Sequence, residues 1–303
     1  VIILAILLIG SKRMDYKNLK DEIFTYFYTK GAPILEDIKK KNITVNLKTK
    51  AMQSSIDVLK TEIGYELRRK YALSIEDVAK FYMLVQYCYT VFSLEMRQQL
   101  WPYEYMSFSR RNGELWERFC KAAWDYTTMP NLKRIEAPHF SQVQNAFTSS
   151  INNIISNADE KANVINITNT IFNLVGDINM IEDEMFKIGS NNYIIDFKSG
   201  FGSNEKGNTL RLLAVGQAYK HWDPKVTLLF LVRQEENNNY LEKIKRSNLW
   251  EVHCGDSTYR KIDELTGSGI SDIRENAIDF ENDLSPQFWQ YLTQNNLTHY
   301  LKW

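Results

Sequence analysis

Two stretches carry the residues of this chain best suited to chemistry. One is Gly176-Asp177; the other, nineteen residues on, is Asp196-Phe197-Lys198, which ends the apolar run Tyr193-Ile194-Ile195. Strand side chains alternate between faces, so Asp196 and Lys198 share one face and Phe197 takes the other. A glycine before Asp177 permits a bend or bulge where a strand stops pairing. If the two stretches lie on neighbouring strands of a hairpin or short meander, two carboxylates and one ammonium meet at a strand edge. Carboxylate oxygens suit a hard divalent cation, and such a cation clamps phosphoryl oxygens while a water attacks. Lys198 then orients that water or steadies the charge that builds on the phosphorane. The plainer alternative is a surface Asp–Lys pair capping a strand, which contributes little to stability.

The elements that must position these groups can be read from periodicity. Residues 15–30 and 51–70 are expected to be helical, the second with Ile56, Leu59, Ile63 and Leu67 at helical spacing. A third helix follows Ser74, which stands three residues before Asp77 in a capping arrangement. It runs through FYMLVQYCYTVFSLEM, apolar on several sides and so read as buried. Beyond Trp101-Pro102, the stretch SFSRRNGELWERFCKAAWDY places Trp116, Phe119, Cys120, Ala123 and Trp124 on one face. Glu117 borders that face and Glu114 lies further out. Another helix is expected over 140–157, with Val143, Phe147 and Ile151 on one side.

From residue 164 the composition turns β-rich. VINITNTIFNLV is read as a strand ending at Gly176-Asp177. An acidic turn follows, then strands in MFKI and NNYIIDFK. GFGSNEKGN reads as a flexible loop, TLRLLAVGQAYKHW as a helix and KVTLLFLV as a buried strand. YLEKIKRSNLW reads as a helix, EVHCG as an edge strand and the tail as helical. The expected class is α/β, with leading helices, a βββαβ-like core and closing helices. The expected division is 1–13 as an apolar extension, 14–100 as a helical N-terminal region, and 101–303 as the core with C-terminal helices.

The 303 residues suffice for a sizeable core. Lys+Arg and Asp+Glu both number 37, so the net charge is zero. That balance neither favours nor excludes nucleic acid, because a local patch is what binds phosphate. Residues 1–150 hold 22 Lys+Arg against 16 Asp+Glu, a net +6, which leaves −6 for the remainder. A basic front half beside an acidic back half suits a phosphate-contacting region joined to a metal-ligating one; sampling scatter is the alternative. Arg110-Arg111 and Lys39-Lys40-Lys41 are the densest phosphate-contact candidates.

Cys88, Cys120 and Cys254 form neither a metal clamp nor a disulfide framework, which points to a reducing, cytoplasmic setting. Four scattered histidines include no HExxH spacing. VIILAILLIG is too short to span a bilayer and has no basic front end or small-residue cleavage site. The expectation is no membrane association, with Met14 as the natural start. A membrane anchor cut short at its front is the rival reading.

The constellation resembles the PD-(D/E)XK nuclease superfamily, whose core pairs an Asp at a strand bend with a later Asp/Glu-x-Lys. By that resemblance Asp177, Asp196 and Lys198 match the two acids and the lysine, with Gly176 where a proline often stands. Glu117 matches the glutamate that many members carry on an early helix, with Glu114 in reserve. The implied catalytic set is Asp177, Asp196, Lys198 and Glu117, of which Asp177, Asp196 and Glu117 hold the metal. The implied fold is a restriction-endonuclease-like core, a central mixed sheet flanked by helices. The implied activity is that of a type II restriction endonuclease, a Mg2+-dependent deoxyribonuclease in which Mn2+ can substitute. Its partners would be double-stranded DNA and a second copy of the chain, since a twofold homodimer places one centre on each strand.

DNA-contact candidates are Arg110, Arg111, Ser199, Ser203, Asn204, Lys206 and Gln217. IIDFKSG also looks like a motif of RecB-like nucleases. Of their downstream Gln-x-x-x-Tyr only Gln217 carries over, because Tyr219 follows two residues on rather than four. His139 stands where those relatives place a metal-contacting histidine, although a capping or structural role competes. A RecB-like exonuclease, a repair or junction nuclease, and a non-catalytic nucleic-acid-binding protein are the alternatives. The long apolar helix at 78–96 and the region around Phe288-Trp289 are candidates either for the dimer surface or for core.

Overall fold

The computed structural model describes residues 14–71, 73–200, 206–235 and 239–303. The first thirteen residues, and with them VIILAILLIG, lie outside the described part. The chain opens with helices α1 (Tyr16–Lys40), α2 (Val45–Tyr71), α3 (Ile75–Leu100) and α4 (Tyr105–Asp125). It continues through β1 (Leu132–Arg134), α5 (Phe140–Ile154), α6 (Ala158–Val175), β2 (Glu184–Ile188), β3 (Asn191–Lys198), α7 (Lys206–Trp222) and β4 (Thr227–Val232). It closes with α8 (Asn239–Arg246), β5 (Glu251–Cys254), α9 (Asp256–Thr266), α10 (Ile270–Asn276), α11 (Phe280–Asp283), α12 (Pro286–Gln294) and a 3-10 turn at Thr298–Leu301.

These elements form two compact units. A helical unit comprises residues up to Thr128 together with Ile262–Trp303, and an α/β unit comprises Met129–Lys261. Residues 101–128 and 262–303 therefore pack with the N-terminal helices, and the chain divides away from the expected boundary at 100/101.

In the helical unit α3 is almost wholly buried. Its Ser74 N-cap accepts the Asp77 amide at 3.1 Å, as the Ser-x-x-Asp spacing predicts. Phe27 stacks on Phe92 with ring centroids 5.3 Å apart, and a Cβ at Gly31 would run into that same ring. The aromatic residues of α3 fill this core, so the helix does not present a dimer surface. Phe288 is likewise buried. The C-terminus is tied down by Trp303, whose indole donates to Asn112 at 3.1 Å and whose carbonyl accepts from Arg274 at 2.7 Å.

The α/β unit is built on a five-stranded mixed sheet in the order β1-β2-β3-β4-β5. β1, β2 and β3 pair antiparallel in turn, with α5 and α6 inserted between β1 and β2, while β3, β4 and β5 run parallel. Parallel neighbours need a crossover, supplied here by α7 between β3 and β4 and by α8 between β4 and β5. One face of the sheet, with Ile194, Leu228, Phe230 and Val232, packs against Val143 of α5, Leu212, Val215 and Tyr219 of α7, and Ile244 of α8. The continuous apolar run of β4 is buried along its length. EVHCG is an edge strand, as expected.

One expected strand is a helix. Residues 164–175 belong to α6, despite their β-branched composition. Asn157 caps its start, accepting the amides of Asp159 and Glu160 at 2.9 and 3.2 Å. Those two acids sit in the first turn, where the helix dipole favours negative charge. Phe172 packs edge-on to Phe140 and Phe147 of α5. Gly176 then ends the helix at φ 78°, a backbone conformation natural to glycine. The expected loop 200–208 is also partly helical: α7 begins at Lys206, and 201–205 lie outside the described residues.

Candidate functional site

β2 and β3 meet through the two-residue turn Gly189-Ser190, with Gly189 at φ 61°. Glycine at the first turn position permits a tight hairpin, and the turn fixes the register, with Glu184 opposite Ile195. The acidic run Glu182-Asp183-Glu184 is thereby carried to the end of β3, beside Asp196. Each of its three carboxylates has its own partner. Glu184 is buried and held by both sides of the Arg134 guanidinium, at 2.6 and 2.9 Å. Asp183 accepts the main-chain N–H of Phe197 at 2.7 Å, which clamps the open end of the hairpin. Glu182 faces Asp196.

Glu182 and Asp196 are joined through one cation of the protein itself. Arg211 of α7 donates from one guanidinium nitrogen to Glu182 at 2.7 Å and from the other to Asp196. The carboxylate side chains are only 2% and 7% exposed, whereas Arg211 is 42% exposed. Burial, and then the hydrogen bond and charge of Asp196, push the Glu182 carboxyl up to about 8 against the opposing pull of Arg211. The two acids in turn hold the Arg211 guanidinium above its ordinary value, despite its own burial. Two buried carboxylates this close call for positive charge, and one guanidinium meets the demand only in part.

Two residues before Glu182, the carbonyl of Met180 accepts the phenol of Tyr219, also on α7. This bond ties the approach to β2 onto the helix that carries Arg211. Lys198 is half-buried at the end of β3, two residues beyond Asp196, and its carbonyl accepts the Arg233 N–H at 2.9 Å.

The other expected site residues are distributed as follows. Asp177 is exposed on the coil that follows α6, not at a strand end. It lines a cleft of about 590 Å³ together with His139, Asn179, Glu182 and Asp183. His139 is the N-cap residue of α5, but its imidazole makes no capping hydrogen bond. Glu117 lies on α4 in the helical unit and pairs with Lys121 at 2.6 Å. Arg110 is 85% exposed and pairs with Glu114 at 3.3 Å. Arg111 is engaged within its own unit by Gln53 and by Ser93 at 3.0 Å. Ser199 accepts from Arg233 at 3.0 Å. Lys206 and Gln217 are exposed on α7. Ser203 and Asn204 lie outside the described residues.

Among the described residues, no group of three or more His, Cys, Asp or Glu is placed to hold a metal ion. Glu182 and Asp196 are the two carboxylates that could hold Mg2+. That ion keeps several waters and binds through one or two carboxylates, with substrate phosphates completing its shell. The donor atoms are hard oxygens, and Arg211 already holds positive charge between them. Among the described residues, no helix is long and apolar enough to cross a membrane. Comparison of the chain with known protein families, curated proteins and solved structures finds no match.

Proposed function

We propose that the protein is a divalent-metal-dependent deoxyribonuclease of restriction type, acting on double-stranded DNA as a homodimer. Its centre is the Glu182–Asp196 pair, with Lys198 on the same strand face. The observation that carries this reading is the bridging of two buried carboxylates, one before β2 and one at the end of β3, by a single cation. A lysine follows Asp196 at the spacing that returns a strand side chain to the same face.

In this assignment Glu182 takes the role that the resemblance gave to Asp177. The two carboxylates would hold Mg2+, or Mn2+ in its place, and the bound ion would supply Lewis acidity toward a phosphoryl oxygen. Lys198 orients the attacking water or offsets charge on the scissile phosphate. The sheet and Tyr219 hold both acids in place. The central mixed sheet with flanking helices is the scaffold expected of a restriction-endonuclease-like core.

The test is digestion of circular plasmid DNA with Mg2+ and with Mn2+, followed by sequencing of the fragment ends. Discrete fragments with a common end sequence support a site-specific endonuclease. Degradation of linear DNA that spares intact circles favours the RecB-like alternative. Binding without cleavage under either metal would overturn the enzymatic reading.

A further inference from the structure

We infer that Arg211 is a latch on the carboxylate pair: it occupies the cation position in the DNA-free protein and turns out to a DNA phosphate, so that metal binds more tightly when duplex is bound. The inference rests on the proposed metal centre and assigns it a means of regulation.

Geometry comes first. Arg211 uses one oxygen of Glu182 and one of Asp196, the atoms through which the pair would bind a metal. A guanidinium and a metal ion cannot both sit between them. The acids are the fixed partners. Asp196 is set in β3 between two paired strands, and the segment carrying Glu182 is anchored by Tyr219. The arginine is the adjustable one, with a long side chain that remains 42% exposed.

Energetics then decide when it can leave. Withdrawing the bridging guanidinium from the buried acid pair is strongly unfavourable unless another cation replaces it. The departing guanidinium also needs a new anion, and a phosphate matches its paired donors. A landing place lies one turn earlier on α7. Lys206 is exposed there, and Asn208, whose carbonyl oxygen lies 3.4 Å from Arg211 Nε, has a buried amide nitrogen with no hydrogen-bond partner among the described residues. Phosphate at this turn would meet Lys206, Asn208 and the released Arg211 together. Metal binding and DNA binding then strengthen each other by the same factor.

The experiment is Mn2+ titration of the full chain, followed by the electron paramagnetic resonance of free Mn2+, with and without a short phosphorothioate-linked duplex of mixed sequence. Wild type is expected to bind Mn2+ about tenfold more tightly with the duplex than without it. Arg211→Gln should bind Mn2+ about tenfold more tightly than wild type in the absence of DNA, with little further gain from duplex. Thermal melts report the same contrast: Mn2+ should raise the midpoint of Arg211→Gln more than that of wild type. Arg211→Lys keeps the charge but loses the paired donors, and should fall between them; it also serves if the glutamine variant does not fold.

Asp196→Asn separates the two levels of the argument. If Mn2+ binding depends on Asp196 but neither Arg211 variant binds more tightly than wild type without DNA, the latch is wrong and the centre stands. If Mn2+ binding is indifferent to Asp196, the metal centre itself is wrong.

Discussion

The phenol of Tyr219 donates to the main-chain carbonyl of Met180, and both residues are buried. Because Glu182 follows two residues later, this bond sets how far one acid of the pair stands from the other. Tyr219→Phe should keep the fold and lose about 1 kcal/mol of stability, the usual contribution of one such bond. DNA cleavage should slow by about tenfold or more, since small misplacements at a reacting centre are costly. A melt and a plasmid-cleavage time course check both. A variant that melts earlier but cuts at the wild-type rate would detach α7 from the chemistry.

The choice between Glu182 and Asp177 can be made directly. Asp196→Asn, Glu182→Gln and Lys198→Ala should each reduce Mg2+-dependent cleavage by about a hundredfold or more, with circular dichroism unchanged. Asp177 is exposed on the coil after α6, and Asp177→Asn should cost less than about tenfold, as befits a residue outside the centre. An inactive Asp177 variant beside an active Glu182 variant would move the centre onto that coil.

Metal-free protein should become less stable as pH rises. The folded Glu182 carboxyl is pushed up to about 8 from an ordinary 4.5, so across that interval the native state keeps a proton that the unfolded chain has released. The stabilisation is complete below pH 4.5 and is lost progressively toward pH 8. Denaturation midpoints measured with EDTA should fall across this window in wild type and change less in Glu182→Gln. A wild-type midpoint that climbs over the same range would mean that the charged carboxyl is the native form.

With α3 committed to the core, another surface must serve any dimer. α6 has no buried residue, and Ile167, Ile171 and Leu174 stand exposed on it at 61, 52 and 83%, spaced four and three residues apart. Such spacing forms one stripe along a helix, and its neighbours Asn163, Asn166, Thr170 and Asn173 are uncharged. Two copies can therefore meet there without bringing like charges together. Ile171→Asp should shift the protein toward monomer in analytical ultracentrifugation and convert paired cuts into single-strand nicks. A dimer unchanged by Ile171→Asp and Leu174→Asp together would exclude this face.

Much of the α/β unit was legible because its strands are short, apolar and separated by turn residues. The strands at MFKI and NNYIIDFK, the buried strand after α7 and the edge strand at EVHCG all follow from those patterns. The acids before β2 were harder to read. Glu182-Asp183-Glu184 looks like a solvated turn until the Gly189-Ser190 hairpin is counted out, and its register then sets them beside the end of β3. Arg211 gives no signal at all in one dimension, since it is an ordinary charged residue on a helix. Its importance lies in reaching across to two acids 15 and 29 positions earlier. At α6 local capping by Asn157 and packing by Phe172 overrode a β-rich composition.

The chain leaves the helical unit at Thr128 and returns to it at Ile262. Order of synthesis follows from this, since chains emerge from the N-terminus and units fold as they become complete. All of the α/β unit is synthesised before residues 262–303, so it can close while the helical unit still lacks Trp303 and the bonds that Trp303 makes to Asn112 and Arg274. A chain ended just past Lys261 would thus carry every strand of the sheet but an incomplete helical bundle.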